Sequence, residues 1–180
     1  VRISGSQALE IAGRILACDP LAPRHATFTR VRDRERSSRV VDDVVATWFP
    51  EPRSYTGQHV VEISAHGSPV VLEAIVGQAM MAGARLARPG EFTFRAFLNG
   101  KIDLVQAEAV ADLIDAATPL QARVAFDQLE GSLTTRIAEF DQPLLDLIAR
   151  LEASLDFPDE GYHFIEPHEV SARVAGVVEQ

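Results

Sequence analysis

A chain of 180 residues is long enough for one or two compact domains, and with 47% hydrophobic and 24% charged residues its composition is that of an ordinary folded protein. No apolar run approaches the roughly 18 residues that cross a bilayer, the opening Val1-Arg2-Ile3-Ser4-Gly5 lacks the basic start of a secretory signal, and the single cysteine, Cys18, excludes an internal disulfide or a CxxC metal knuckle. A reducing, cytoplasmic setting is the expectation. The net charge of −9 is uneven: residues 1–101 carry 13 basic and 10 acidic side chains, residues 102–180 carry 4 and 16. The acidic second part repels a phosphate backbone, so strong RNA binding is not expected of this chain alone, while the mildly basic first part suits a small anion.

In chain order, Val1 to Ile3 reads as the end of a strand whose beginning is missing. Residues 6–18 read as a helix, with Leu9, Ala12, Ile15 and Leu16 at helical spacing and Ser6 as N-cap; Cys18, following an apolar run, reads as structural rather than reactive. Residues 24–31 and 40–49 read as the strands of a hairpin. Its charged tip, residues 32–39, is rich in arginine, but Asp33 and Glu35 balance the charge and favour a solvated loop over a nucleic-acid patch. Pro50, Pro52 and Gly57 bracket an irregular loop, and residues 59–64 alternate as a strand. His66-Gly67-Ser68-Pro69 then turns into a helix over Pro69–Met81, where proline at the first helical position removes an N–H that has no partner anyway. Val70, Ile75, Val76 and Ala79 give that helix a buried stripe, Gly83 ends it, and residues 84–87 read as a short strand. The order predicts an α+β layer of sheet and helices.

The pattern changes at Asn99-Gly100, a helix-stop signal. Residues 103–117 read as a helix with Leu104, Ala107, Ala111 and Ile114 on one face, and Asp103 with Gln106 forms a capping box. Leu129, Leu133, Ile137, Phe140, Leu144, Leu147 and Leu151 follow at spacings averaging near 3.5, the seam of a helical bundle. Pro143 is expected to kink or restart that helix, and Phe157-Pro158 to end it. Residues 167–180 begin another helix.

Three segments carry chemistry. Glu62 stands mid-strand between Val61 and Ile63. A carboxylate there either has a dedicated partner, because burying it unpaired costs several kcal/mol, roughly, or lies on a solvent-facing edge; the pattern leaves both open. The second segment, Pro89 to Lys101, holds Phe92, Phe94 and Phe97 as expected core anchors and an i,i+4 pair of Glu91 and Arg95. Lys101 is the only lysine in the chain. The third is His66 at a strand-to-helix turn, more readily a structural hydrogen-bonder than a catalyst. No GxSxG, HExxH or phosphate-binding Gly-rich loop with Lys-Ser/Thr is present, and the remaining histidines show no metal spacing.

The strings SYTGQHVVEISAHGSP and ARPGEFTFRAFLNGKIDLVQAEAVADLIDA, flanked by VRISG, QLEGSL and LEASLDFPDE, resemble the defining stretches of the MnmE/TrmE tRNA modification GTPase family, collinearly and over essentially the whole chain. The resemblance implies a fold: an N-terminal mixed sheet with helices like the folate domain of aminomethyltransferases over residues 1–100, followed by part of an all-α helical bundle domain over residues 101–180. The family's Ras-like GTPase domain, and with it the GTP, Mg2+ and K+ sites, has no counterpart in these residues, and Cys18 does not match the family's C-terminal cysteine motif. The resemblance further implies a homodimer through the N-terminal domain with 5-formyl-tetrahydrofolate bound near its interface. With an FAD-dependent MnmG/GidA partner, the family forms 5-(carboxymethyl)aminomethyluridine at the tRNA wobble position. The family's folate contacts, an Arg in RISG, a Glu in SYTG-VVE and the Lys of FLNGK, carry over to Arg2, Glu62 and Lys101; no catalytic or metal-binding residue carries over. Two further readings stand beside this one: a dimerisation scaffold with no ligand of its own, and a stand-alone aminomethyltransferase-like enzyme using His66.

Overall fold

The computed structural model describes residues 1–18, 20–34, 39–156, 165 and 167–178. The chain divides into two compact units, Val1–Ala107 and Glu108–Gln180. The first is built on a four-stranded sheet in the order β1-β4-β3-β2, with β1 at Arg2–Ser4, β2 at Thr27–Arg32, β3 at Val40–Phe49 and β4 at Val60–Ser64. Helices α1 (Ala8–Ile15) and α2 (Pro69–Met81) pack on one face, and α3 (Glu91–Leu98) follows later in the unit. Strand alternation decides which face is apolar. On β3, Val44 and Ala46 are buried while Asp43 and Val45, alternating with them, are exposed. The core gathers Ile3, Ile11, Ile15, Val31, Val44, Val61, Ile63 and Ile75 between sheet and helices.

The α+β architecture is the expected one, with differences in detail. Every ladder is antiparallel, where a mixed sheet was expected: β2 and β3 form a hairpin, β4 turns back against β3, and β1 runs opposite to β4; among the described residues the one parallel pairing is an isolated bridge of Pro23 to Trp48. The first helix is shorter than its apolar pattern. Ser6 does not cap it, Gln7 stands at the N-cap without a side-chain bond, and Leu16 leaves the helix in an extended conformation to bridge Val31. Pairing with the β2 edge thus takes the last apolar turn away from the helix. The strand expected from residue 24 begins at Thr27, because Arg24 adopts a left-handed φ of 58°. In α2, Val70 is exposed and Gln78 is buried in its place, accepting a hydrogen bond from the Arg34 N–H at 2.8 Å. Residues 84–87 form no strand. Phe94 and Phe97 are exposed and only Ala96 of α3 is buried, so the expected phenylalanine anchors are not core; Phe92 is half-buried against the Arg2 guanidinium. The hairpin tip at residues 35–38 lies outside the described residues.

The division between units falls inside α4 (Leu104–Asp115). Its expected capping box is made in both directions, the Asp103 N–H donating to Gln106 Oε1 at 3.0 Å and the Gln106 N–H to Asp103 Oδ1 at 2.8 Å. Leu104 and Ile114 of its expected apolar face are exposed. The second unit adds α5 (Pro119–Leu129), α6 (Ser132–Asp156) and α7 (Pro167–Val178), α6 packing on both α5 and α7. The bundle seam is not one helix: Leu129 ends α5, and Gly131 at φ 85° separates it from α6. α6 runs through Pro143 without restarting; proline removes one backbone donor, and the turns on either side keep theirs. The expected stop at Phe157-Pro158 lies outside the described residues. Of the seam on α6 only Leu147 is buried. Asp146 accepts from Arg150 of its own helix at 3.1 Å and from Arg173 of α7 at 3.0 Å.

Candidate functional site

The loop over residues 54–58 joins β1 to the second of the segments singled out in the sequence, Pro89 to Lys101. Gly57 holds a left-handed φ of 78°, which lets the loop turn tightly, and a Cβ there would stand 3.1 Å from Asn99 Cβ and 3.2 Å from Lys101 Cγ. Thr56 is fully buried, its hydroxyl 2.7 Å from that of Ser4 on β1, and its carbonyl accepts from Asn99 Nδ2 at 2.7 Å. The Tyr55 hydroxyl lies 2.9 Å from that of Thr93, and Gln58 Oε1 accepts from Arg95 Nη1 at 3.0 Å. Ser54 donates to the Gln58 carbonyl and closes the loop on itself. The loop is therefore stitched to β1, to α3 and to the turn that ends α3.

This packing sets Arg2 in a frame. Arg2 and Glu62 are directly opposite on β1 and β4. Arg2 Nε donates to Glu62 Oε1 at 2.9 Å and Nη2 lies 2.6 Å from the same oxygen. The guanidinium carbon stands 5.1 Å from the centroid of Tyr55 and 5.6 Å from that of Phe92, two cation–π contacts. Both side chains of the ion pair remain 39% exposed, and Glu62 Oε2 has no protein partner among the described residues. Glu62 is thus neither unpartnered nor on an edge: β4 lies between β1 and β3. Lys101 does not join the pair directly. Its backbone N–H donates to Ala96 O at 2.9 Å, ending α3, and its side-chain stem lies against Gly57, two residues from Tyr55. Arg2 and Glu62 are therefore in contact, and Lys101 is tied to the loop that carries Tyr55 only through Gly57.

Beside this frame lies a cluster centred on Glu91. Its carboxylate receives Arg85, the Arg88 N–H at 2.9 Å and Arg95 at 2.8 and 3.0 Å. These donors, Arg85 first, then the Arg88 amide and Arg95, hold the Glu91 carboxyl far below the ordinary glutamate range, and Glu91 in turn raises the Arg85 guanidinium. The expected i,i+4 pair with Arg95 is present, but it is one spoke of a hub that fixes the start of α3, and with it Phe92. His66 lies apart from this site. Asp42 of β3 accepts from both its backbone N–H at 2.9 Å and its Nδ1 at 2.8 Å, and the ring is 76% exposed. The His66 amide, ahead of its ring, lowers the Asp42 pKa. This is the arrangement of a turn-fixing hydrogen-bonder.

Sequence reasoning missed Tyr55, Phe92, Asn99 and Gln58 as members of one site. Each lay in a segment already singled out, but nothing in the linear order says that the loop over 54–58 packs on α3.

The family described as "GTP-binding protein TrmE N-terminus" matches residues 1–101, and the "MnmE helical domain" matches residues 104–180. The chain belongs to the MnmE/TrmE family. It is 45% identical over all 180 residues to the tRNA modification GTPase MnmE of Coxiella burnetii (strain RSA 493 / Nine Mile phase I) and 46% identical over 180 residues to that of Nitrosospira multiformis, covering 100% of this chain and 39% of each relative. The MnmE of Thiobacillus denitrificans is 47% identical over 177 residues, 98% of this chain and 39% of the relative. The chain spans about two fifths of the length of the MnmE relatives it matches. No helix among the described residues is long and apolar enough to cross a membrane.

Proposed function

We propose that this chain is the folate-binding and dimerisation part of a tRNA modification GTPase, and that 5-formyl-tetrahydrofolate is held by Arg2, Glu62 and Lys101. The observation that carries the reading is the Glu62 carboxylate: one oxygen is committed to Arg2, the other has no protein partner among the described residues, and the side chain is 39% exposed. A carboxylate so placed accepts paired N–H donors, and a pterin offers an amino group and a ring N–H side by side; charge makes such bonds about twice as strong as neutral ones. Tyr55, 40% exposed, gives a flat ring a stacking surface at the same point. Lys101 supplies a positive charge beyond Gly57 for an anionic or carbonyl oxygen. When bound, the reduced folate would supply a one-carbon unit; the residues here bind and orient it. In the whole protein this activity would be combined with a GTPase domain using Mg2+ and K+, and with an FAD-dependent MnmG/GidA-type partner, to build 5-(carboxymethyl)aminomethyluridine at the tRNA wobble position in the cytoplasm.

Calorimetric titration with 5-formyl-tetrahydrofolate tests the ligand. Binding is expected, and Glu62→Ala is expected to weaken it on the order of tenfold to a hundredfold, the loss of hydrogen bonds to a charged group. No heat, or equal binding by the Glu62→Ala chain, overturns the assignment. The self-satisfied Arg2–Glu62 pair favours a second reading, a dimerisation scaffold that binds nothing. Sedimentation separates the two: a dimer indifferent to folate is the scaffold's signature.

A further inference from the structure

Among the described residues the buried polar side chains are Thr29, Thr56 and Gln78, and of these only Thr56 lies in the candidate site. Its hydroxyl and its carbonyl are both engaged. The hydroxyl stands 2.7 Å from that of Ser4 and receives the Gln58 N–H at 3.4 Å, and the carbonyl accepts from Asn99 Nδ2 at 2.7 Å. Side chains two apart on a strand point to the same face, so Ser4 stands on the face of β1 that carries Arg2. Asn99 lies two residues before Lys101. The chain neighbours of Thr56 are Tyr55, whose ring lies against the Arg2 guanidinium, and Gly57, which meets the Lys101 stem. One residue thus stands where the segments bearing Arg2, Tyr55 and Lys101 cross. Packing alone does not ask for a hydroxyl there. Valine has nearly the same shape and is cheaper to bury, because a hydroxyl taken out of water must find partners. Lysine, by contrast, is a compact charge on a flexible four-carbon stem, and the stem of Lys101 is laid along a loop that Thr56 fixes.

Resting on the folate reading, we propose that Thr56 is the positioning residue of this site: by bonding Ser4 on one side and Asn99 on the other, it sets Lys101 at a fixed reach from the Arg2–Glu62 pair, so that one ligand meets both. Thr56 is fully buried and touches no ligand itself. It acts through Gly57 and Asn99, which confine the Lys101 stem before a ligand arrives. A β-branched side chain suits this task, because it holds its hydroxyl in few rotamers. A long side chain ordered in advance spares the ligand the entropy of ordering it, which is about threefold to tenfold in affinity. The ligand so favoured has a hydrogen-bonding ring at one end and an anionic or carbonyl oxygen at a set distance from it.

Because Lys101 is the only lysine, isotopic labelling of lysine lets NMR observe it alone. In the ligand-free chain its γ protons should show a nuclear Overhauser contact to the Gly57 α protons. Thr56→Val should lose that contact, and Thr56→Ser, which keeps the hydroxyl, should restore it. In calorimetry with 5-formyl-tetrahydrofolate, Thr56→Val is expected to weaken binding by about threefold to tenfold, and serine again to restore it. Asn99→Ala, a change at an exposed position, should weaken binding to a similar degree and decides the matter if the valine chain does not fold. In a Lys101→Ala background neither change should weaken binding further, because Thr56 acts through Lys101. Undiminished affinity in the Thr56→Val and Asn99→Ala chains overturns the proposal. So does a loss that serine does not restore, or one that persists in full without the Lys101 side chain; either marks a threonine that serves the fold alone. No binding by the unsubstituted chain overturns the folate assignment instead. The Overhauser contact needs no ligand and then decides by itself: its absence from the unsubstituted chain, or its survival in Thr56→Val, overturns the positioning role.

Discussion

Glu91 and Gly57 show how single residues set the site. Glu91 is far more acidic in the folded chain than a free glutamate because Arg85, the Arg88 amide and Arg95 all donate to it. A carboxyl with a depressed folded pKa contributes stability that is fully present above its unfolded value and is lost as the pH falls through and below it. The first unit should therefore lose stability from roughly pH 4 downward. In urea titrations at a series of pH values, Glu91→Gln should lower the neutral-pH midpoint and flatten the acid limb; an unchanged acid limb would show that the hub contributes nothing. Asp42, lowered by the His66 amide, acts in the same direction and leaves a residual slope. Gly57 carries the loop's turn in a region where a side chain costs about 1–2 kcal/mol, and an added Cβ would press on Asn99 and on the Lys101 stem. Gly57→Ala should cost at least that in urea denaturation and weaken folate binding by displacing Lys101. Neither Glu91 nor Gly57 could be ranked from its neighbours in sequence, because the donors on Glu91 come from both sides of a turn and the atoms crowding Gly57 lie more than forty residues away.

Elements were legible where their signals are local. Pro69–Met81 has the bounds its sequence predicts, with proline at its start and Gly83, at φ 113°, just past its end. The hairpin strands and the capping box at Asp103 and Gln106 also follow from adjacent residues. α5 was missed although its start carries the same kind of signal: Thr118, then Pro119, then Gln121, with Thr118 Oγ1 accepting from the Gln121 N–H at 3.2 Å and Gln121 Oε1 from the Thr118 N–H at 3.1 Å. Its large apolar residues Leu120, Val124 and Phe126 are exposed and form no single buried stripe, and a reading led by hydrophobic spacing passed over it. Thr118→Ala should destabilise the second unit by about 1 kcal/mol, seen as a lower urea midpoint of the helical signal; no shift would mean that α5 stands without its cap. Errors went the other way where tertiary competition decides. The last turn of the expected first helix unwinds to pair with β2, and residues 84–87 find no strand to join.

At the scale of the whole molecule, charge asymmetry governs what the chain attracts. With 16 acidic and 4 basic side chains over residues 102–180, the second unit opposes a phosphate backbone. In filter binding at physiological salt, the isolated chain should hold tRNA no more tightly than the roughly 10⁻⁴ M of weak non-specific association; micromolar retention would mean that the arginines of the first unit form a true RNA surface. Composition, local caps, turn residues and the two family strings were enough to establish by sequence alone that this is an α+β unit followed by helices and a member of the MnmE/TrmE family, because each of those signals lies within a few residues of chain. The meeting of Arg2 with Glu62 under Tyr55 and Phe92 and the placing of Lys101 against Gly57 were decided only by the tertiary structure. Cross-strand register and the docking of a loop on a helix depend on contacts between residues 40 to 60 positions apart, and no local pattern encodes them.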